Sequence, residues 1–187
     1  MKTLVLSTLF AAVLLSACAG MSTMSDTKTV MVGGAAMFPN KDIIDNAVNS
    51  KDHTTLVAAV KAAGLVDTLK SPGPFTVFAP VNSAFAALPA GTVDTLLKPE
   101  NKATLAKVLT YHVVPGRLNA SDLARQISAG GGRAILKTAS GGTLTASMSG
   151  SSVMVTDDGG GSARVTIADV NQSNGVIHVV DKVLLPK

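Results

Sequence analysis

The chain has 187 residues, of which 47% are hydrophobic, 3% aromatic and 15% charged. So apolar and sparsely charged a chain is not disordered throughout, and its single Cys excludes a disulfide scaffold. No Trp, one Tyr and five Phe leave little to stack bases on, and the 16 Lys and Arg against 12 Asp and Glu, a formal +4, are scattered, so no nucleic acid partner is expected.

Residues 1–17 read as a signal peptide. Lys2 supplies the positive start, and Leu4 to Leu15 form an apolar run of secretory length, too short to span a bilayer. Leu15-Ser16-Ala17-Cys18 then resembles the bacterial lipobox. In signals of that kind the Cys thiol receives a diacylglycerol, and cleavage leaves the Cys at the N-terminus. Cys18 is therefore the expected lipidation site and the membrane an expected partner. Two or more acyl chains anchor stably, where one alone is marginal. Ala19 stands where an Asp would retain such a lipoprotein at the inner membrane, so it points to the outer membrane. The alternative is ordinary cleavage around Ala17-Cys18-Ala19, followed by secretion. Residues 18–37 are small and polar, keep no lasting period and read as a flexible tether.

From Phe38 to Lys187 the chain reads as one domain. Its first half is helical in pattern. Asp42 to Val48 carries Ile43, Ile44, Ala47 and Val48 at helical spacing. Asp52 is placed to cap a helix that presents Leu56, Val57 and Val60 and stops at Gly64. Leu65, Val66 and Leu69 predict a short helical stretch, broken by Pro72-Gly73-Pro74. Phe75 to Ala79 is a strand stopped by Pro80. Ser83 to Leu88 and Val93 to Leu97 predict short helices. Pro99 suits the first turn of a longer one, on which Leu105, Val108, Leu109 and His112 share a face. In the second half the period changes. Ala134–Leu136, Leu144–Ala146, Val153–Val155, Arg164–Ala168, Val176–Val180 and Val183–Leu185 predict strands, separated by glycine-rich turns. Helices followed by an antiparallel meander argue for an α+β fold.

Three segments resemble the fasciclin-like (FAS1, beta-Ig-H3) domain, and by their order and spacing the resemblance extends over about Phe38 to Lys187. Phe75-Thr76-Val77-Phe78-Ala79-Pro80-Val81-Asn82-Ser83-Ala84-Phe85 is similar to the first signature, with Val81 where Thr is usual. Leu109-Thr110-Tyr111-His112-Val113-Val114-Pro115-Gly116 is similar to the central Tyr-His motif. Asn174 to Pro186, with Gly175 and His178, is similar to the closing signature. The resemblance implies a wedge-shaped antiparallel β-sandwich with helices packed along one edge. Thr76, Phe78, Pro80, Asn82, Phe85, Gly175 and His178 are its structural positions. It also implies adhesion to an envelope, matrix or host-surface protein or glycan, without catalysis. Two candidate partner-binding pairs follow: Tyr111 with His112, and Asp169 with Val170, where the family's pair is Asp-Ile.

Chemistry-bearing residues are few. His53, His112 and His178 share no metal-ligand spacing. His112, on an apolar face, reads as a core imidazole or as part of a recognition patch. His178 reads as structural, and His53, beside the expected cap, as solvated. Asp157-Asp158-Gly159 fits a hairpin turn better than a calcium loop. No nucleophile elbow occurs, and Glu100 is the single Glu. No catalytic residue, metal or cofactor is expected. A competing function is carriage of a small lipid or metabolite in a cleft between sandwich and helices.

Overall fold

A computed structural model describes residues 29–187. The expected signal peptide, Cys18 and most of the expected tether lie outside the described residues. Folded structure begins before Phe38. Val30–Val32 (β1) and Ala35–Met37 (β2) pair antiparallel across Gly33-Gly34. Both glycines take positive φ, 57° and 75°, which a two-residue hairpin turn requires and a Cβ opposes. Val32 and Met37 are buried in the core. The tether reading is therefore corrected for residues 30–37: the Val and Met that resembled linker composition alternate inward.

The helical layer follows: Ile43–Ala47 (α1), Thr54–Ala63 (α2) and Val66–Lys70 (α3). Asp42 caps α1, its carboxylate accepting from the Asp45 N–H at 2.8 Å. Gly64 closes α2 with φ 71°, a left-handed turn that suits glycine. Asp52 does not cap α2. It sits in a 3-10 turn at Lys51–His53, and Asn82 performs the role from across the chain. Asn82 Oδ1 accepts from the Thr55 N–H at 3.0 Å and the Thr54 hydroxyl at 3.2 Å, while its Nδ2 donates to the Lys51 carbonyl at 2.8 Å. Asn82→Ala is expected to cost about 0.5–2 kcal/mol, the range for a lost N-cap, read as a lower urea midpoint at unchanged slope.

Phe75–Pro80 (β3) leads to Asn82–Ala86 (α4) and Thr92–Leu97 (α5). Lys102–Tyr111 (α6) then runs into Val113–Pro115 (β4), and Ala120–Ala129 (α7) follows. Pro99 opens a 3-10 turn just before α6 rather than α6 itself. The remaining strands are Arg133–Lys137 (β5), Thr143–Ser149 (β6), Ser152–Thr156 (β7), Ser162–Gln172 (β8) and Gly175–Val180 (β9). Val183–Leu185 is not a strand. That segment is held by Leu184, which is buried and donates its N–H to His112 Nε2 at 3.0 Å.

Seven strands form one sheet in the order β4-β3-β9-β8-β7-β6-β5. Every pair is antiparallel except β3 with β9, which is parallel. The α+β fold and its mainly antiparallel sheet are as expected; the one parallel pair departs from that expectation, and burial explains it. β9 is buried throughout and β3 from Thr76 on, as parallel strands covered on both faces are. Val77, Ala79, Ile177 and Val179 face the helices α1, α2 and α6 in one core. Phe78 and Val180 face the opposite core, closed by Leu123 and Ile127 of α7, Leu144, Val155 and Leu184. β8 joins both halves: Ser162–Arg164 pair with β7 and Val165–Gln172 with β9, with register shifts between Val165 and Val170. Such bulges bend a strand. The Ala139 N–H donates to the Val113 carbonyl at 2.7 Å, bringing the β5–β6 end beside β4 and curling the sheet into a wedge. Among the described residues, no helix is long and apolar enough to cross a membrane.

Candidate functional site

Tyr111 ends α6 and is fully buried. Its hydroxyl donates to the Thr143 carbonyl at 2.6 Å and accepts from the Asp158 N–H at 3.0 Å. A phenol has one donor and room for an acceptor bond, so this side chain joins α6 to the start of β6 and to the β7–β8 turn. Burial pushes its pKa up. Asp158 completes the corner: its Oδ1 accepts from the Thr143 hydroxyl at 2.7 Å, the bond that chiefly holds this carboxyl below the usual range. A Cβ on Gly142 would run into the Tyr111 ring.

His112 is 3% exposed. Its Nδ1 lies 2.8 Å from the Val108 carbonyl, and its Nε2 lies 3.0 Å from the Leu184 N–H. Those partners assign the neutral tautomer with the proton on Nδ1. Burial lowers its pKa to about 4. The His112 carbonyl accepts from the Phe78 N–H at 2.9 Å, tying the motif to β3.

Asp169 sits in the β8 bulge with φ 58°, a left-handed conformation that Asp tolerates better than most residues. Its Oδ1 accepts from the Ala120 N–H at 2.6 Å, capping α7. Its own N–H points at His178 Nδ1, 3.4 Å away. His178 Nε2 lies 2.7 Å from the Leu118 carbonyl, and the ring stacks on Phe78 with centroids 5.6 Å apart. Burial lowers the His178 pKa. The Thr76 hydroxyl donates to the Gly116 carbonyl at 2.7 Å and accepts from the Leu118 N–H at 2.9 Å. Together these bonds clamp residues 116–120 onto the sheet.

The two predicted pairs are connected only indirectly: Phe78 bonds His112 by its backbone and stacks on the His178 ring, whose Nδ1 faces the Asp169 N–H. They do not form an exposed patch. Tyr111, His112 and Val170 are buried, Val170 at 1% in the helix-side core. A partner cannot touch those three in this conformation, and Asp169 alone is partly exposed. The remaining motif residues are structural in identifiable ways. Phe85 packs in the helix-side core, and a Cβ on Gly175 would collide with the Phe75 carbonyl. Pro80 ends β3 opposite Val180. His53 is not solvated: it is 3% exposed, its Nδ1 lies 2.9 Å from the Ser50 hydroxyl, and burial lowers its pKa. Sequence reasoning missed the roles of Thr143 and Asp158, which carry no motif of their own. It also missed Arg117, which donates to the Gln172 carbonyl at 2.9 Å beside the Asp169 bulge.

Two hollows bear on ligand carriage. An apolar cavity of about 40 Å³ lies among Val32, Ile44, Leu56, Val60, Leu109 and Ile177, far below the few hundred Å³ that drug-sized ligands occupy. An open polar cleft of about 640 Å³ runs between Lys41, Asp45, Lys70, Arg117 and Ser173. Among the described residues, no group of three or more His, Cys, Asp or Glu could hold a metal ion.

A curled seven-stranded sheet, with α1, α2 and α6 on one side and α7 on the other, and a Tyr-His corner locked to the C-terminal segment define a fasciclin-type domain. The family model described as Fasciclin domain matches residues 51–186, and the chain belongs to that family. Protein sll1483 of Synechocystis sp. is 48% identical over 159 residues, covering 85% of this chain and 81% of the relative. Cell surface glycolipoprotein MPB83 of Mycobacterium bovis is 32% identical over 174 residues, covering 90% and 70%. A solved FAS1 domain pair from the insect cell adhesion molecule Fasciclin I superposes with a TM-score of 0.57 at 23% identity, over 75% of this chain and 45% of that one; it shows the shared fold.

Proposed function

We propose that this chain is a non-catalytic interaction module of a bacterial envelope, anchored by lipid on Cys18 and binding an envelope, matrix or host-surface protein or glycan. The observation that carries the reading is the use of the motif residues. The polar atoms of Thr76, Tyr111, His112 and His178 bind the domain's own backbone, so the motifs shape a rigid surface instead of presenting reactive groups. MPB83 is named a cell surface glycolipoprotein, which supports the lipobox reading of Leu15 to Cys18. Fasciclin I is named a cell adhesion molecule, which supports adhesion. Ala19 after the Cys favours the outer membrane.

The test uses cells making the full chain and fed a clickable fatty acid. Wild type is expected to take up label and to adhere to protein- or glycan-coated surfaces. Cys18→Ser is expected to lose the label and leave the cell. Asp169→Asn keeps the α7 cap and the left-handed backbone but removes the charge, and is expected to weaken adhesion several-fold. Failure of the labelled wild type to bind any such surface would sink the adhesion reading. An unlabelled but exported wild type would sink the anchor and leave secretion.

A further inference from the structure

The outward face of β5–β8 is the part of the surface that the motifs leave unused. From Leu123 to Thr156 the sequence has no Asp or Glu. Strand register places Arg133, Ser147, Met154 and Arg164 on one cross-strand rung and Ile135, Thr145, Thr156 and Ser162 on the next. Lys137 and Thr143 form a third. Alternation along each strand turns these side chains outward, since Ala134, Leu136, Leu144, Ala146, Val153, Val155 and Ala163 are buried on the other side. The result is a broad face of hydroxyls with a cation at three corners; its carboxylates are at the margin, Asp158 accepting from the Thr143 hydroxyl at 2.7 Å and Asp181 from the Arg164 backbone N–H at 2.8 Å. Arg133 and Arg164 stand three strand spacings apart, about 14 Å. Lys137 lies four residues along β5 from Arg133, again about 14 Å. Between them Ile135 is 73% exposed. Among the described residues, no carboxylate lies within ion-pair distance of any of the three cations.

We propose that this face docks on a membrane surface of anionic lipid, with Arg133, Lys137 and Arg164 over headgroup phosphates and Ile135 at the interface. Blunting of the sheet edge would account for charges flanking Ile135 on β5, which ends the sheet. It does not account for Arg164, three strands in. A soluble polyanion would need cations in a row or a groove. Here two of them flank an exposed apolar side chain on the edge strand and the third stands three strands in, spread over a broad surface, which suits a lipid interface. Each Lys or Arg near an anionic membrane strengthens binding by about five-fold, and the attraction fades with salt. The docking does not depend on lipidation of Cys18, and the test separates the two.

Because the chain has no Trp, Ile135→Trp makes a single fluorescent reporter on the face and Val48→Trp one on the helical side. Both native side chains are exposed, so both variants should fold. Vesicles of mixed phosphatidylglycerol and phosphatidylethanolamine are expected to blue-shift the Ile135→Trp emission and leave Val48→Trp unmoved. Phosphatidylcholine vesicles should shift neither. Adding Arg133→Gln, Lys137→Gln and Arg164→Gln together should weaken the response roughly a hundred-fold. The triple Lys61→Gln, Lys98→Gln and Lys102→Gln, equal in charge and on the helical side, should change it little. An acyl anchor would bring both reporters to every vesicle without this pattern. The proposal is overturned if the emission of Ile135→Trp stays unmoved by the anionic vesicles. It is equally overturned if the helical-side triple costs as much as the face triple, or if a soluble acidic polysaccharide binds the face and vesicles do not.

Discussion

Tyr111→Ala is expected to remove at least about 4 kcal/mol of stability. Truncating a buried aromatic costs about 3–5 kcal/mol. Here the loss also strands the Thr143 carbonyl and the Asp158 N–H, which the hydroxyl now joins, and a buried group left unpaired costs about 1–3 kcal/mol. Against a typical total of about 5–15 kcal/mol, the variant would be close to unfolded at 37 °C. Tyr111→Phe divides the effect. It keeps the ring among the sheet-side core and loses only the two hydrogen bonds, so about 1–3 kcal/mol is expected. Packing therefore outweighs polarity at this residue. Urea unfolding of both variants reads the difference. Partner binding by the folded Tyr111→Phe protein should equal wild type, because a buried hydroxyl touches no partner. If Tyr111→Phe kept full stability and lost adhesion, Tyr111 would be a recognition residue and the scaffold account would fail.

The same residue shows what a sequence can and cannot reveal. Tyr111 and His112 stand out because a resembling motif marks them. Whether they face solvent depends on Thr143, Asp158 and Leu184, which lie 32 to 72 positions from the residues they bond and carry no signal that links them. Local patterns were legible wherever the physics is local. Leu56, Val57 and Val60 before Gly64 mark α2, and the glycine turns between short apolar runs mark β5 to β9. α7 escaped because only Leu123 and Ile127 are buried in its length, too thin a stripe to suggest a helix. β1 and β2 escaped because three-residue strands around Gly-Gly have the composition of a linker. The parallel pairing of β3 with β9 joins segments about a hundred residues apart, and no local period encodes that. Asn82 is the instructive case: the first signature places it after β3, yet its function is to cap α2, whose start lies on the other side of that strand in sequence.

Acidification below pH 6.5 should destabilise the domain progressively down to about pH 4. His112 is neutral in the fold because Nδ1–H meets the Val108 carbonyl while Nε2 receives the Leu184 N–H. A second proton on Nε2 would face that N–H donor to donor, in a site that burial already makes hostile to charge. Its folded pKa is therefore about 4 against an ordinary 6.5. Between those values the unfolded chain binds a proton that the folded chain refuses, so falling pH favours unfolding. The contribution is complete above pH 6.5 and gone below about pH 4, and the gap corresponds to roughly 3 kcal/mol. Asp157 opposes it weakly, as a carboxylate favouring the charged ring. His53 and His178 shift in the same direction, also by burial, and steepen the loss. Urea midpoints measured from pH 7 to pH 4 should fall accordingly. In His112→Gln, which can still donate and accept, the baseline is lower but the slope should be shallower. Because the strain of protonation falls on the Leu184 N–H, the C-terminal segment should loosen first. The protection of the Leu184 amide, the factor by which it exchanges more slowly than an unfolded amide at the same pH, should then fall on acidification before that of β3 or β9. Equal slopes in wild type and His112→Gln would show that the acid sensitivity lies elsewhere.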